Sequence, residues 1–236
     1  MPKAKLVKKG KDFVVLQVPS YTAVTGEMAE KYLHGNIKSI LFRFPSPKAL
    51  PENGVTFQRV DPKYATKLLF RCDSGLKQLG KRPAKPLVRL VIPASGEELG
   101  RESRRTLTRF SLDTGGSYMS DRARRGYEKY IRDIAPKTNS IFIMKDGKIL
   151  GMFSIVDDWK DGGKKCRLLA WSYIDASLSK AERADAHYQA SRWLIKNTAG
   201  LQVIAGIYAA NARSQKFHFK LGMRPVAVAI KPMREK

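Results

Sequence analysis

The 236-residue chain has few of the residues that build disulfide frameworks and metal sites: two cysteines and three histidines. Cys72 and Cys166 form neither a CxxC motif nor a metal-ligand spacing, so the sequence predicts two reduced thiols. The three histidines, His34, His187 and His218, argue against a histidine-rich metal site, and we expect no metal.

Long apolar runs are also missing. No uninterrupted stretch approaches the roughly 18 residues that cross a bilayer. The lysine-rich N-terminus is followed only by the short segment VVLQV, which is not a signal-peptide core. We therefore expect a cytoplasmic protein with no membrane partner. Apolar residues still make up 43% of the chain, enough for a sizeable core.

Acidic residues are scarce relative to basic ones. The 45 Lys and Arg against 21 Asp and Glu give a net charge of +24 and a pI near 10.2. A surplus spread along the chain predicts a basic face on a folded body, and a polyanionic partner such as DNA or RNA. A generally basic proteome, or a role in solubility, is the alternative explanation.

Residues 1–85 form a basic, β-rich region that matches no family we recognise. Three segments predict strands (FVVLQV, SILFRF and GVTFQRV), and a short helix is expected near 26–33. PKYATKLLFRC fits either a helix or a buried turn and strand. Residues 73–86, rich in Gly, Pro and Lys, predict a mobile basic loop or a linker, and we place a domain boundary at its end.

Residues 86–236 alternate between strand and helix patterns. A strand at 86–93 precedes two helical patterns at 97–110 and 120–134. The segment 140–158 predicts a hairpin, because Asp146-Gly147 is a favoured two-residue turn between apolar strands. A strand at 166–175, a helix at 176–200 and a strand at 203–208 follow. The order predicts an α/β (α+β) domain.

The two helical patterns between 97 and 134 carry a dense arginine surface. Tyr127 and Tyr130 lie among these arginines, and arginine with interleaved aromatics suits phosphate contacts and base stacking. Core packing of the tyrosines is the alternative. The predicted nucleic-acid-binding residues are Arg101, Arg104, Arg105, Arg122, Arg124 and Arg125.

The stretch from Leu201 to Met233 predicts a strand, a helix and a second strand. Asn211 stands where a helix N-cap is wanted. Phe217 and Leu221 are four residues apart and so share one helix face. Gly222 can adopt the left-handed conformation that ends a helix.

The spacing of Asn211, Ser214, Phe217, His218 and Gly222 resembles the C-terminal signature of the GNAT N-acyltransferase superfamily, over about residues 87–233. The resemblance implies a mixed, mostly antiparallel central sheet flanked by helices, with the N-terminal region as an extension. Two positions depart from the family: His218 replaces a tyrosine, and Met223 replaces a phenylalanine.

The resemblance also implies acetyl-CoA or another acyl-CoA as donor. Family members hold the CoA pyrophosphate on a Q/R-x-x-G-x-G/A segment, and this chain has no such glycines. One register places Ala181, Ala184 and Ala186 on the pattern, and a second uses Arg183, Ala186 and Tyr188. By the same resemblance, Asn211 and Ser214 flank the CoA arm.

For catalysis, the family uses a backbone N–H of the central strand as oxyanion donor, here near 171–173. In the family a helix tyrosine acts as the acid that protonates the departing thiolate, and His218 stands at its position. The alternative is that His218 only packs between Phe217 and Phe219. Asp175 is the first candidate base, unless it caps the next helix, and Tyr173 is a further cleft residue. Three weaker candidates complete the set: Asp157, Asp158 and His187.

These observations leave three functional hypotheses. The first is an acyltransferase that modifies an amine on, or bound to, a nucleic acid; DNA-modifying relatives in phages belong with the second, as divergent versions of the fold. The second keeps the fold with another donor, such as an aminoacyl-tRNA. The third is a catalytically silent protein that binds nucleic acid or serves in assembly.

Overall fold

The computed structural model describes residues 4–19, 24, 26–44, 64–92, 138–161, 163–209 and 211–232. The strand expected at 54–60 and both arginine-rich helical patterns lie outside these residues. The same holds for the six arginines predicted to bind nucleic acid.

The described residues form ten strands and three helices, numbered here in chain order. They are β1 (Lys5–Lys9), β2 (Phe13–Gln17), α1 (Gly26–Tyr32), β3 (Ser39–Arg43), β4 (Tyr64–Cys72), β5 (Arg89–Val91), β6 (Thr138–Lys145), β7 (Lys148–Asp161), β8 (Lys164–Ile174), α2 (Lys180–Thr198), β9 (Gln202–Tyr208), α3 (Ala212–Lys220) and β10 (Arg224–Pro232). The mixed, mostly antiparallel α+β architecture is confirmed, since only the β2–β3 and β8–β9 pairings given by the register are parallel.

The chain divides into two compact units. Unit 1 comprises Met1–Arg71, Ala205–Phe219 and Met223–Lys236; unit 2 comprises Cys72–Ile204 and Lys220–Gly222. The predicted functional division, 1–85 and 86–236, stays a prediction. The compact units cut the chain differently, because unit 1 takes strands from both ends of the sequence.

In unit 1, β10 lies between β3 and β4 and pairs antiparallel with both. The core on these strands is built from Leu16, Ile40, Phe42, Leu68 and Phe70, all essentially inaccessible. From the sequence alone, the β4 segment fitted either a helix or a buried turn and strand. It is a strand because β10 gives it a full ladder of partners from Tyr64 to Arg71.

In unit 2, β6 and β7 form the predicted hairpin. Asp146 and Gly147 both have positive φ values, 49° and 71°, as a two-residue type I′ turn requires. β7 then pairs antiparallel with β8, and β8 pairs in parallel with β9 only over Cys166–Leu168. Cys72 and Cys166 are free and buried.

Gly151 of β7 is paired with Ile143 of β6 and Ile174 of β8. A Cβ added there would lie 2.9 Å from the backbone oxygen of Tyr173 and 3.1 Å from the Cβ of Ile143. Both neighbours belong to paired strands, so neither can give way cheaply.

We therefore expect Gly151→Ala to lower the free energy of unfolding by about 1–3 kcal/mol, as overpacking does. Gly206→Ala is the matched control, since its Cβ would meet only the flexible end of Leu69 at 3.8 Å. Urea denaturation of both variants measures the difference. Equal destabilisation would show that the close approach to Tyr173 is not the cause.

Among the described helices, none has the length and apolar character needed to cross a membrane.

Candidate functional site

One edge of β8 loses its strand partner part-way along. Parallel pairing with β9 stops at Leu168, and no strand among the described residues pairs with that edge from 169 to 174. A bulge accompanies this change, because Ser154 pairs with Trp171 and Ile155 with Leu169, which leaves Ala170 as the extra residue.

The hydrogen-bond pattern fixes the direction of the peptide groups on this edge. Asp175 N–H donates to the Leu150 carbonyl at 2.8 Å, so residues 175 and 173 bond toward β7. Antiparallel ladders alternate, so the N–H groups of Ser172 and Ile174 point away from β7. Ser172 lies inside the 171–173 window predicted for an oxyanion donor, and that role stays a prediction.

Asp175 follows β8 directly and is only 5% exposed. One carboxylate oxygen accepts the Ser177 N–H at 2.8 Å, and the other accepts the Tyr173 hydroxyl at 3.1 Å. The predicted pair is therefore in direct contact at the end of β8. Asp175 forms a local turn rather than a helix cap.

The helix cap belongs to Ser179, which forms a capping box with Glu182. The Ser179 N–H donates to Glu182 Oε2 at 2.7 Å, and the Glu182 N–H donates to Ser179 Oγ at 3.3 Å. Lys145 adds an ion pair at 2.6 Å to Oε1. The hydrogen bond from Lys145, with those from Ser179, lowers the pKa of Glu182 to about 2.

No protein-family model and no curated protein matches the chain. Three of the matching solved structures illustrate the likeness of fold. One is a conserved protein of unknown function from Staphylococcus epidermidis (TM-score 0.49, 9% identity, 98% of this chain and 95% of that chain covered). A GNAT-family acetyltransferase from Colwellia psychrerythraea has a TM-score of 0.48 and 14% identity, and the match covers 97% of this chain and 81% of that chain. A tandem GNAT protein of the clavulanic acid biosynthesis pathway has a TM-score of 0.43 and 13% identity, and the match covers 99% of this chain and 79% of that chain.

The chain is similar to GNAT acetyltransferases of known structure. Each similarity is one of fold at low identity.

Two of the three alanines that occupy the GNAT glycine positions have backbone N–H groups that are already used within α2. Arg183 N–H already donates to the Ser179 carbonyl, so the amides of Ala184 and Ala186 lie inside the helical ladder. Ala181 lies in the first turn, where the Glu182 carboxylate already occupies the helix N-terminus. Because Lys145 pairs with that carboxylate, its negative charge is balanced, and the binding of a pyrophosphate at this position stays a prediction.

The second register uses Arg183, Ala186 and Tyr188, and two of these side chains have other contacts or positions. The Arg183 guanidinium donates to the backbone carbonyls of Ala176 and Leu178, which ties it to the loop before the helix. Tyr188 is half-buried further along the helix.

In α3 the GNAT-like motif folds as expected. Asn211 Oδ1 accepts the Ser214 N–H at 3.0 Å, which confirms the predicted N-cap. Gly222 has φ +86°, in the left-handed region. The proposed contacts of Asn211 and Ser214 with a CoA arm stay predictions.

His218 is 2% exposed and packs against the rings of Phe70 and Phe217. Its Nδ1–H donates to the Ser214 carbonyl at 2.7 Å, because a carbonyl can only accept. Burial lowers the pKa of His218 to about 4, with the Ser214 bond opposing it. At neutral pH the ring is therefore neutral with its proton on Nδ1, a state that favours packing over proton donation.

The other candidate bases lie on exposed or partly exposed positions. Asp157 pairs with Arg167 Nε at 3.1 Å, and Asp158 pairs with Lys165 at 3.1 Å. The Lys165 hydrogen bond lowers the pKa of Asp158. His187 is half-buried in α2.

Sequence reasoning missed Ser179, Glu182 and Lys145. The signal for the first two was present, since Ser179-Lys180-Ala181-Glu182 has the S-x-x-E spacing of a capping box. No local pattern identifies Lys145, which reaches Glu182 from a hairpin 37 positions earlier. Within the described ranges, no group of three or more His, Cys, Asp or Glu side chains could hold a metal ion.

Proposed function

We propose that this chain is an N-acyltransferase that transfers an acyl group to an amine on, or bound to, a nucleic acid. The observation that carries the proposal is the end of β8, where a buried carboxylate and a hydroxyl lie within a few residues of a strand edge that no described strand covers. The net charge of +24 supports a polyanionic acceptor.

In this proposal the residues at the end of β8 divide the work. Asp175 accepts a proton from the ammonium form of the acceptor, directly or through a water, so that the amine nitrogen can attack the acyl carbon. The Ser172 N–H stabilises the oxyanion of the tetrahedral intermediate. Collapse breaks the bond to the donor's leaving group, which takes up the proton that the amine nitrogen releases as it becomes an amide. Tyr173 orients Asp175 through the bond at 3.1 Å.

The donor class remains the open part of the proposal. Acyl-CoA is the donor that the GNAT resemblance implies. An aminoacyl-tRNA is the alternative donor, since the chain lacks the glycines of the GNAT pyrophosphate segment.

The test combines a donor panel with one substitution. Protein freed of nucleic acid is incubated with radiolabelled acetyl-CoA or aminoacyl-tRNA, together with DNA or RNA carrying a primary amine. We expect label transfer from one donor class, reduced on the order of 10²-fold in Asp175→Asn, since a general base contributes at least that much.

Asp158→Asn is the matched control, because that carboxylate is exposed, is paired with Lys165, and lies beside the Trp159–Cys166 pair near the opposite end of β8 from Asp175. Transfer from neither donor, or equal transfer by both variants, would contradict the proposal. A protein that binds nucleic acid without transfer would fit the catalytically silent alternative.

A further inference from the structure

Residues 76–89 of unit 2, here called the basic strap, carry an unusual run of charge. The segment contains five basic side chains and no acidic one: Lys77, Lys81, Arg82, Lys85 and Arg89. All five are exposed.

The strap is fixed to α2 at its first half through Ser191, which is fully buried. The Ser191 hydroxyl accepts the Leu79 N–H at 3.0 Å and the Gln78 side-chain amide at 2.6 Å. The Lys77 N–H donates to the Leu221 carbonyl at 2.8 Å.

The second half is fixed through Asp185, which is 3% exposed. Its Oδ2 accepts the N–H groups of Leu87 at 2.6 Å and Val88 at 3.1 Å. Gln189 bridges Asp185 and the Val88 carbonyl. This attachment differs from the expected mobile loop or linker, since the backbone is held at both ends.

The five cations have no ion-pair partner within the described part of the chain. Three large apolar side chains of the strap, Leu76, Leu79 and Val88, are buried beneath it. The anchored backbone thus presents its charge outward, and little backbone entropy remains to be lost when an anion binds.

We propose that the basic strap is the surface through which this protein binds the phosphate backbone of a nucleic acid. A repeating phosphate chain matches closely spaced cations on a fixed backbone, without base-specific contacts. An anionic bilayer fits less well, because most of the strap's large apolar side chains point inward. The inference extends the proposed nucleic-acid acceptor to a defined surface.

The test measures fluorescence anisotropy of a labelled duplex DNA over a range of salt concentrations, with no acyl donor present. The triple variant Lys81→Gln, Arg82→Gln and Lys85→Gln should bind on the order of ten- to a hundredfold more weakly. The slope of log K against log salt should fall by about 2.7, since each lost phosphate contact removes about 0.9.

The control is the triple variant Lys5→Gln, Lys9→Gln and Lys11→Gln, which removes the same charge from exposed positions on and beside β1. It should keep nearly the wild-type affinity and slope. Equal losses in both variants, no DNA binding by the wild type, or binding to phosphatidylserine vesicles in place of DNA would each overturn the inference. Because the assay reads binding alone, failure of acyl transfer does not affect it.

Discussion

Replacing Asp185 with alanine is expected to lower the free energy of unfolding by about 1–3 kcal/mol, because the buried Val88 N–H and the part-buried Leu87 N–H lose their acceptor. The Leu87 and Val88 N–H groups both donate to Asp185 Oδ2, and no second acceptor for them is present among the described residues. Urea denaturation measures the loss, and hydrogen exchange at those two amides should accelerate.

Asp185→Asn separates charge from geometry. Its amide oxygen can still accept both N–H groups, so we expect a smaller loss than for alanine. Asp158→Ala is the control for removing an exposed carboxylate, whose ion pair with Lys165 is worth about 0–1 kcal/mol. If Asp185→Ala were no more harmful than Asp158→Ala, the anchoring of the strap would be refuted.

Acidification is expected to destabilise the protein through His218. The folded-state pKa of about 4 lies below the ordinary value of 6.5, so the unfolded chain binds more protons between these values. The stabilisation is complete above pH 6.5 and is lost as the pH falls through 4. A shift of this size corresponds to about 3 kcal/mol.

His218→Phe removes the titrating group while keeping a ring against Phe70 and Phe217. Its stability should depend less on pH between 6.5 and 4 than that of the wild type, whatever its stability at neutral pH. His34→Asn, at an exposed position, should follow the wild-type profile. Parallel profiles for His218→Phe and wild type would mean that the buried ring does not supply this pH dependence.

Local signals in the sequence were reliable where the chain itself satisfies its backbone groups. Asp146-Gly147, Asn211 and Gly222 each act through conformations or bonds within four residues, and all three adopt the predicted geometry. The predicted strands along β2, β3 and β9 are also present. Their side-chain patterns match a buried sheet without reference to distant partners.

Features that depend on distant residues were not predictable. The 73–86 segment has the composition of a loop. No local pattern predicts that Leu79 bonds to Ser191, or that Leu87 just after the segment bonds to Asp185, each about a hundred positions later. The neutral state of His218 follows from burial against Phe70, which no spacing in α3 reveals. The predicted alanine register at the start of α2 did not take account of the capping box of Ser179 and Glu182, which fixes where the helix begins.

The position of β10 has a consequence for how the protein is made. β10 lies between β3 and β4, yet its residues emerge from the ribosome after both. Until then the nascent chain carries two strand edges that β10 has yet to cover, and such edges are templates for aggregation. Most of unit 2 precedes β10 in the sequence and can complete its β6–β7–β8 ladder earlier. Chaperone demand during synthesis should therefore concentrate on the N-terminal strands.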